Sequence, residues 1–230
     1  MTDPRLCVAL DVVDADALRR VAEATAEHVD MFKIGSTAFV AHGPSIVRDL
    51  GALRPVFLDL KLHDIPAQVA GAVRAAAATG ARLLTVHASG GPEMVEAAVA
   101  AAPAGLDIAA VMVLTSLDDA GYAAVGGAWS IATAMERLSD QAVAAGASAL
   151  VCSPLELAAL RARHPQVTLI VPGIRPRSGS DDQKRTGSPR DAVASGADLL
   201  VVGRPITAAA DPGAAAREIA AEMRSVGVSG

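Results

Sequence analysis

The sequence is poor in aromatic residues and in long apolar runs, and each shortage excludes a class of protein. Only 2% of its 230 residues are aromatic, although 52% are hydrophobic, so any core must be aliphatic. Charged residues, Gly or Pro interrupt every apolar run well short of the ~20 residues that span a membrane. The net charge is −5 and there is no basic run, which argues against a nucleic-acid or anionic-membrane surface.

Cysteine is also scarce. Cys7 and Cys152 each lie in an apolar run, which predicts buried, reduced thiols rather than a disulfide or a metal site. Residues 1–5 are polar and lack the apolar stretch of a secretory signal. We therefore expect a cytoplasmic protein.

The chain does contain short aliphatic runs that recur along its whole length, each followed by a polar or Gly-bearing turn. Ala-rich segments with helical spacing lie between most of them. Such alternation predicts parallel strands joined by right-handed crossovers. The candidate strands are Leu6–Leu10, Met31–Ile34, Val56–Leu60, Leu83–Val86, Ile108–Leu114, Ala149–Cys152, Thr168–Val171 and Leu199–Val202. The candidate helices are Asp14–His28, Ala67–Thr79, Pro92–Ala102, Ala132–Ala145, Pro154–Arg163, Pro189–Ser195 and Pro212–Val226.

Eight such strands either close into a barrel or form an open, doubly wound sheet. The first strand runs into Asp11 and lacks the Gly-rich loop of a dinucleotide-binding sheet. We therefore predict a single α/β domain, a (β/α)8 TIM barrel over residues 1–230, a length typical of this fold. The polar stretch Arg175–Ser188 is predicted to be a mobile loop after the seventh strand.

Charged side chains collect where the third strand ends. Asp59 and Lys61 are two residues apart and share a face, and Asp64 follows in the turn. Opposed charges in one small region are costly to bury unless they neutralise each other, so a structural ion pair is the simpler alternative. Further polar residues at other strand ends argue for an active site at the barrel mouth instead. These are Asp11, Lys33, His87, Ser116 and Arg204.

The ends of the last two strands carry a second signal. Barrels of this kind commonly bind phosphate at the loops after strands seven and eight. Gly203 allows a phosphate to approach the backbone closely, and Arg204 supplies a forked donor. Pro172 and Gly173 end the seventh strand and fit the same site. The alternative is a Gly that begins a helix, followed by a surface Arg.

The segment Asp59–Pro66 (DLKLHDIP) resembles the signature of the orotidine 5′-monophosphate decarboxylase family. Six further motifs fall in the family's order and extend the resemblance to nearly the whole chain. They are Ala9–Asp11, Lys33–Gly35, Val86–Gly91, Leu114–Ser116, Val171–Pro176 and Val202–Thr207.

This resemblance implies a decarboxylase of pyrimidine biosynthesis that converts orotidine 5′-monophosphate to uridine 5′-monophosphate (UMP). It implies that Lys61 protonates C6 of the pyrimidine once CO2 has left, and that Asp59 sits beside the substrate carboxylate. Asp64 is expected to reach the neighbouring site of a homodimer. No cofactor and no metal are implied.

The resemblance also implies substrate contacts. Asp11 and Lys33 are expected at the ribose hydroxyls, and Ser116 at the pyrimidine ring. Gln183 and Arg204 are expected to bind the phosphate beside the Gly203 backbone, with Ile174–Gly187 closing over it. The remaining expected substrate contacts are Ile65, Pro172 and Arg175.

One position departs from the family's pattern. The family usually has Thr four residues after the Asp64 position, where it helps to complete the neighbouring subunit's site. This chain has Gln68, whose amide also donates and accepts hydrogen bonds but has a different reach.

Two alternatives compete with this interpretation. A sugar-phosphate decarboxylase of the same superfamily has a similar Asp-x-Lys-x-x-Asp motif but uses Mg²⁺ and forms an enediolate. A barrel that only binds nucleotides would share the fold without the chemistry. The array of Asp59, Lys61 and Asp64 argues against the latter, because binding alone does not require opposed charges.

Overall fold

A computed structural model describes residues 4–174 and 187–228 of the chain. Its eight strands are all parallel, each pairs with the next in the chain, and the first pairs with the last. The prediction of a closed barrel is therefore confirmed, and the alternative of an open, doubly wound sheet is excluded. The strands are β1 Arg5–Ala9, β2 Met31–Gly35, β3 Val56–Leu62, β4 Leu83–His87, β5 Asp107–Val111, β6 Ala149–Val151, β7 Thr168–Pro172 and β8 Leu199–Val202.

Helices surround the barrel, and local sequence explains where several begin. The side chains of Asp14, Ser130, Ser188 and Asp211 each accept a hydrogen bond from the first helical turn that follows them. No helix in residues 4–174 and 187–228 is long and apolar enough to cross a membrane. The α-helices are α1 Ala15–Thr25, α2 Ser36–His42, α3 Ser45–Gly51, α4 Pro66–Ala77, α5 Pro92–Ala101, α6 Asp119–Ala124, α7 Ile131–Ala144, α8 Leu157–Arg163, α9 Pro189–Ala194, α10 Arg204–Thr207 and α11 Pro212–Arg224.

Successive side chains of each strand alternate between the barrel interior and the surrounding helices. Most of the hydrophobic core lies between strands and helices, and a smaller cluster fills the barrel itself. Cys7 belongs to the inner cluster and Cys152 to the outer one. Both thiols are free and buried, as predicted, and burial raises the pKa of Cys152 to about 12.

The predicted elements differ from the observed ones mainly at their ends. The run Ile108–Leu114 was predicted to be one strand, but β5 pairs only as far as Val111. Four short helices, α2, α3, α6 and α10, were not predicted, because a helix of seven residues or fewer shows only a weak helical period. The equally short α8 and α9 were predicted within segments that begin with Pro. The predicted loop Arg175–Ser188 lies mostly outside the described residues.

Candidate active site

The carboxyl ends of the strands surround a cavity of about 310 Å³. Its floor is formed by apolar side chains inside the barrel, among them Phe57, and its charged side chains come from β2, from β3 and from the segment after β1. The sequence predicted the site at this end of the barrel, and the structure brings half of the twelve predicted site residues together there. The predicted site residues that line the cavity are Asp11, Lys33, Asp59, Lys61, Pro172 and Gly203.

Four of these side chains form a continuous array of alternating charge. Lys33 Nζ lies 3.2 Å from Asp11 Oδ1 and 3.4 Å from Asp59 Oδ2. Lys61 Nζ lies 2.9 Å from each carboxylate oxygen of Asp59. Asp11 follows β1, Lys33 lies in β2, and Asp59 and Lys61 lie in β3, so the array joins three neighbouring parts of the barrel. Asp59 is the shared partner of both ammonium groups.

The carboxylate of Asp59 is buried yet ionised. Burial alone would raise the pKa of Asp59, but the ammonium groups of Lys33 and Lys61 outweigh it. Hydrogen bonds from Lys61 and from the Thr85 hydroxyl act in the same direction. The net result is a pKa below the usual value for an aspartate, so a fixed negative charge stands beside the cavity at neutral pH.

The backbone of Lys61 has an unusual conformation. Its φ of 51° is the single positive φ of a non-glycine residue in the described chain. A left-handed conformation is unfavourable for residues with a Cβ and is often found at functional sites. Here it turns the end of β3, so that the Lys61 side chain folds back over Asp59 and into the cavity.

Gly35 leaves the space that the Asp11–Lys33 pair occupies. A Cβ added at Gly35 would overlap Asp11 Oδ1 and lie 3.0 Å from Lys33 Nζ. The backbone at Gly35 is extended, with φ −86°, so the requirement for glycine here is steric rather than conformational.

Asp64 and Ile65 lie exposed in the turn between β3 and α4. Asp64 Oδ1 accepts a hydrogen bond from the Ile65 amide at 2.7 Å, and within residues 4–174 and 187–228 it makes no ion pair. Gln68 is exposed in the first turn of α4, on the same rim. The Asp64 carboxylate is therefore presented outward, and the array within the chain comprises Asp59 and Lys61 without it.

The predicted phosphate-binding residues lie at the ends of β7 and β8. Pro172 and Gly203 line the cavity, and Arg204 is exposed as the first residue of α10. Arg175 and Gln183 lie outside the described residues.

Two further predicted positions lie near the rim. Ser116 is exposed in the turn after β5, next to Thr115, which lines the cavity. His87 is half-buried at the end of β4, with its ring 5.3 Å from that of His63. Burial lowers the pKa of His87, and its proximity to His63 and to Lys61 acts in the same direction, so the neutral ring is favoured.

Sequence reasoning did not single out Thr85. It lies inside β4 within the apolar run Leu83–Val86 and has no exposed surface. Its hydroxyl donates to Asp59 Oδ1 at 2.9 Å and accepts from the Lys61 amide at 2.8 Å. One signal was available: Thr85 is two residues before His87, so the alternation of a strand places it on the same interior face as the strand-end residue.

Comparison with known proteins identifies the family of this chain. Residues 4–219 match the model of the orotidine 5′-phosphate decarboxylase / HUMPS family. The orotidine 5′-phosphate decarboxylase of Thermobifida fusca is 52% identical over 228 residues, which cover 97% of each chain. That of Anaeromyxobacter sp. (strain K) is 54% identical over 222 residues, which cover 95% of this chain and 98% of the relative. The crystal structure of orotidine 5′-phosphate decarboxylase from Lactobacillus acidophilus matches with a TM-score of 0.86 at 32% identity, covering 96% of this chain and 99% of that one. The chain therefore belongs to the orotidine 5′-phosphate decarboxylase / HUMPS family.

Proposed function

We propose that this protein is an orotidine 5′-phosphate decarboxylase, which converts orotidine 5′-monophosphate to UMP in pyrimidine biosynthesis. The observation that carries the proposal is the Lys33–Asp59–Lys61 array, which holds an ammonium group at a cavity large enough for a pyrimidine ring. The relatives at 52% and 54% identity carry the same name.

The chemistry needs such an ammonium group. Loss of CO2 from C6 leaves a carbanion in the plane of the ring, where the π system delocalises it poorly. The Lys61 ammonium stabilises this charge as it develops and then donates a proton to C6. Lys61 Nζ carries three protons, so it can keep a hydrogen bond to Asp59 while it delivers one to the substrate.

Asp59 has two roles in this proposal. Its buried carboxylate orients Lys61 through both oxygens, and it stands where the substrate carboxylate must bind. Repulsion between the two carboxylates is relieved when CO2 leaves, although binding energy from elsewhere in the substrate must offset it first.

The remaining substrate contacts follow the cavity outward. Asp11 and Lys33 bind the ribose hydroxyls, and Ser116 binds the pyrimidine ring. The phosphate lies between the ends of β7 and β8, where Arg204 and Gln183 bind it beside the Gly203 backbone. Ile65, Pro172 and Arg175 complete the contacts.

We also propose that the protein acts in the cytoplasm as a homodimer of one-domain subunits comprising residues 1–230. The outward-facing Asp64 then completes the array of the neighbouring subunit, with Gln68 beside it. Its exposure and its lack of an ion pair within the described part of its own chain support this arrangement.

The direct test is turnover of orotidine 5′-monophosphate, followed by the change in ultraviolet absorbance as the pyrimidine loses its carboxylate. Wild-type protein should decarboxylate it, whereas Lys61→Ala should fold normally and lose turnover by several orders of magnitude. A wild-type protein that binds UMP but does not turn over the substrate would make the chain a nucleotide-binding barrel. Near-normal turnover by Lys61→Ala would refute the role of that residue.

Exhaustive treatment with EDTA separates this function from that of a sugar-phosphate decarboxylase. Both oxygens of Asp59 already accept hydrogen bonds from Lys61, and Oδ1 accepts a further one from Thr85. A metal at Asp59 would have to displace these donors, so we expect turnover to be unchanged by the chelator. Loss of activity that Mg²⁺ restores would favour the sugar-phosphate alternative.

A further inference from the structure

The hydrogen-bonded pairing between β3 and β4 is interrupted beside Lys61, whose left-handed backbone forms what we call the catalytic turn. Leu58 pairs with Leu84 and Leu62 pairs with Val86, so β3 advances by four residues over a length in which β4 advances by two. The extra length of β3 bulges at Lys61, which has the left-handed backbone. An amide in such a bulge loses its ladder partner and must find another if it is shielded from water.

The Thr85 side chain supplies that partner. Thr85 lies opposite the bulge, and its Oγ1 accepts a hydrogen bond from the Lys61 amide at 2.8 Å. A hydroxyl has one proton to donate, and Thr85 donates it to Asp59 Oδ1 at 2.9 Å. One fully buried hydroxyl therefore ties the carboxylate of Asp59 to the backbone of Lys61.

We propose that Thr85 is a positioning residue for decarboxylation, an inference that rests on the proposed function. It touches neither the cavity nor the reacting atoms, and it acts through Asp59 and Lys61. The hydroxyl fixes the rotation of the Asp59 carboxylate and holds the left-handed turn that directs Lys61 Nζ into the cavity. The distance and angle between Nζ and C6 then depend on a residue of the neighbouring strand.

Removing the hydroxyl while keeping the shape of the side chain isolates this role. In Thr85→Val, the Lys61 amide has no acceptor and Asp59 loses its only neutral donor among the described residues. The charged groups facing Asp59 are Lys33 from β2 and Lys61 from β3, with the His87 ring on β4 and the Cys7 thiol on β1 nearby. The substitution removes none of these charged groups, so the net charge of the site at neutral pH is unchanged and only the positions of Asp59 and Lys61 are less constrained.

The experiment compares Thr85→Val with Thr85→Ser, which keeps the hydroxyl, and with Thr25→Val as a matched control. Thr25 is equally buried, but its hydroxyl donates to the backbone carbonyls of Val21 and Ala22 in α1 and not to a residue of the site. We expect Thr85→Val to lower kcat by about 10- to 100-fold, the scale of one or two lost buried hydrogen bonds in the transition state. Affinity for UMP should stay within about 3-fold of wild type, since it does not depend on the position of Nζ relative to C6. Thr85→Ser should restore kcat to within about 5-fold of wild type, and Thr25→Val should leave it unchanged.

Two further readouts distinguish positioning from loss of stability. The acid limb of the kcat profile should move to higher pH in Thr85→Val, because the lost hydrogen bond helps to lower the pKa of Asp59. Exchange of the Lys61 amide proton should become faster in Thr85→Val but not in Thr85→Ser.

Three results would overturn the inference. They are an unchanged kcat in Thr85→Val, a kcat in Thr85→Ser as low as that of the valine variant, and a protected Lys61 amide in Thr85→Val. Absence of turnover in wild type would refute the proposed function instead, and amide exchange would then still decide whether Thr85 holds the turn.

Discussion

Lys61 Nζ lies 2.9 Å from both carboxylate oxygens of Asp59, although the two residues are only two positions apart on one strand. The Asp59 side chain is 11% exposed and the Lys61 side chain 38%, so the anion is enclosed while the cation opens onto the cavity. This asymmetry matches the proposed chemistry, in which a buried carboxylate orients an ammonium group that must reach the substrate. It also makes Asp59 the residue on which the stability of the array depends.

Asp59→Asn should therefore destabilise the folded protein at neutral pH. The substitution leaves the buried Lys33 and the neighbouring Lys61 without their shared counter-charge, which costs on the order of 3 kcal/mol. The folded-state pKa of Asp59 is lowered, so its contribution is present above the unfolded value of about 3.9 and is lost as pH falls through the lower folded value. Urea unfolding should show a wild-type advantage that is constant from pH 7 to 5 and narrows below about pH 4.

The exposed Asp49→Asn variant is the control for this measurement and should differ little from wild type at any of these pH values. An advantage over Asp59→Asn that persists undiminished well below pH 3 would contradict the linkage.

Gly35→Ala should weaken substrate binding without preventing the protein from folding. The added methyl group would overlap Asp11 Oδ1 and crowd Lys33 Nζ, and both atoms are at the ends of movable side chains. We expect the pair to separate and KM for orotidine 5′-monophosphate to rise roughly 10-fold, the scale of a lost charge-assisted contact to the ribose.

Gly71→Ala in α4 is the matched variant, because a Cβ there meets nothing within 4 Å. It should keep wild-type kinetics and raise stability by about 0.5–1 kcal/mol, as replacement of a mid-helix glycine generally does. Wild-type kinetics for Gly35→Ala as well would mean that the Asp11–Lys33 pair does not contribute to substrate binding.

Mixed dimers test whether active sites are shared. If Asp64 serves the neighbouring subunit, inactive Lys61→Ala and inactive Asp64→Ala subunits should complement each other. Each mixed dimer then contains one intact site and one site lacking both groups. Random re-assortment makes about half of the dimers mixed, so about a quarter of all sites should be active.

Recovery should be measured as turnover after subunit exchange has been demonstrated with differently tagged chains. Exchange without any recovery would mean that Asp64 does not complete the neighbouring subunit's site.

Arg204→Ala tests the proposed phosphate site at the end of β8. An exposed guanidinium there should bind the phosphate dianion through charge-assisted hydrogen bonds without touching the reacting carbon. Its loss should lower kcat/KM by at least ~100-fold and weaken UMP binding. If phosphate binding also supports the chemical step, kcat should fall too.

Orotidine without its phosphate is the control substrate. Wild type should process it poorly and Arg204→Ala about equally poorly, because the partner of the guanidinium is missing. A large further loss with this substrate would mean that Arg204 stabilises the barrel mouth instead, and the phosphate assignment would be wrong.

The sequence alone was sufficient to predict the barrel and the types of residue that lie at its mouth. Short aliphatic runs alternating with helical segments predict parallel strands, and the period of two along a strand places Asp59 and Lys61 on one face. These are local properties, which is why they can be read from neighbouring residues. The short helices α2, α3, α6 and α10 were not predicted, because a helix of one or two turns shows only a weak period.

Only the tertiary structure decided how these residues meet. The bulge opposite β4, the left-handed backbone of Lys61 and the hydroxyl of Thr85 depend on the register of two strands whose paired residues lie more than twenty positions apart. The same holds for Gly35, whose missing side chain leaves room for the Asp11–Lys33 pair, which joins the segment after β1 to β2. Composition and spacing do not specify register, because register is set by packing of the whole barrel, and the geometry of the catalytic turn follows from it.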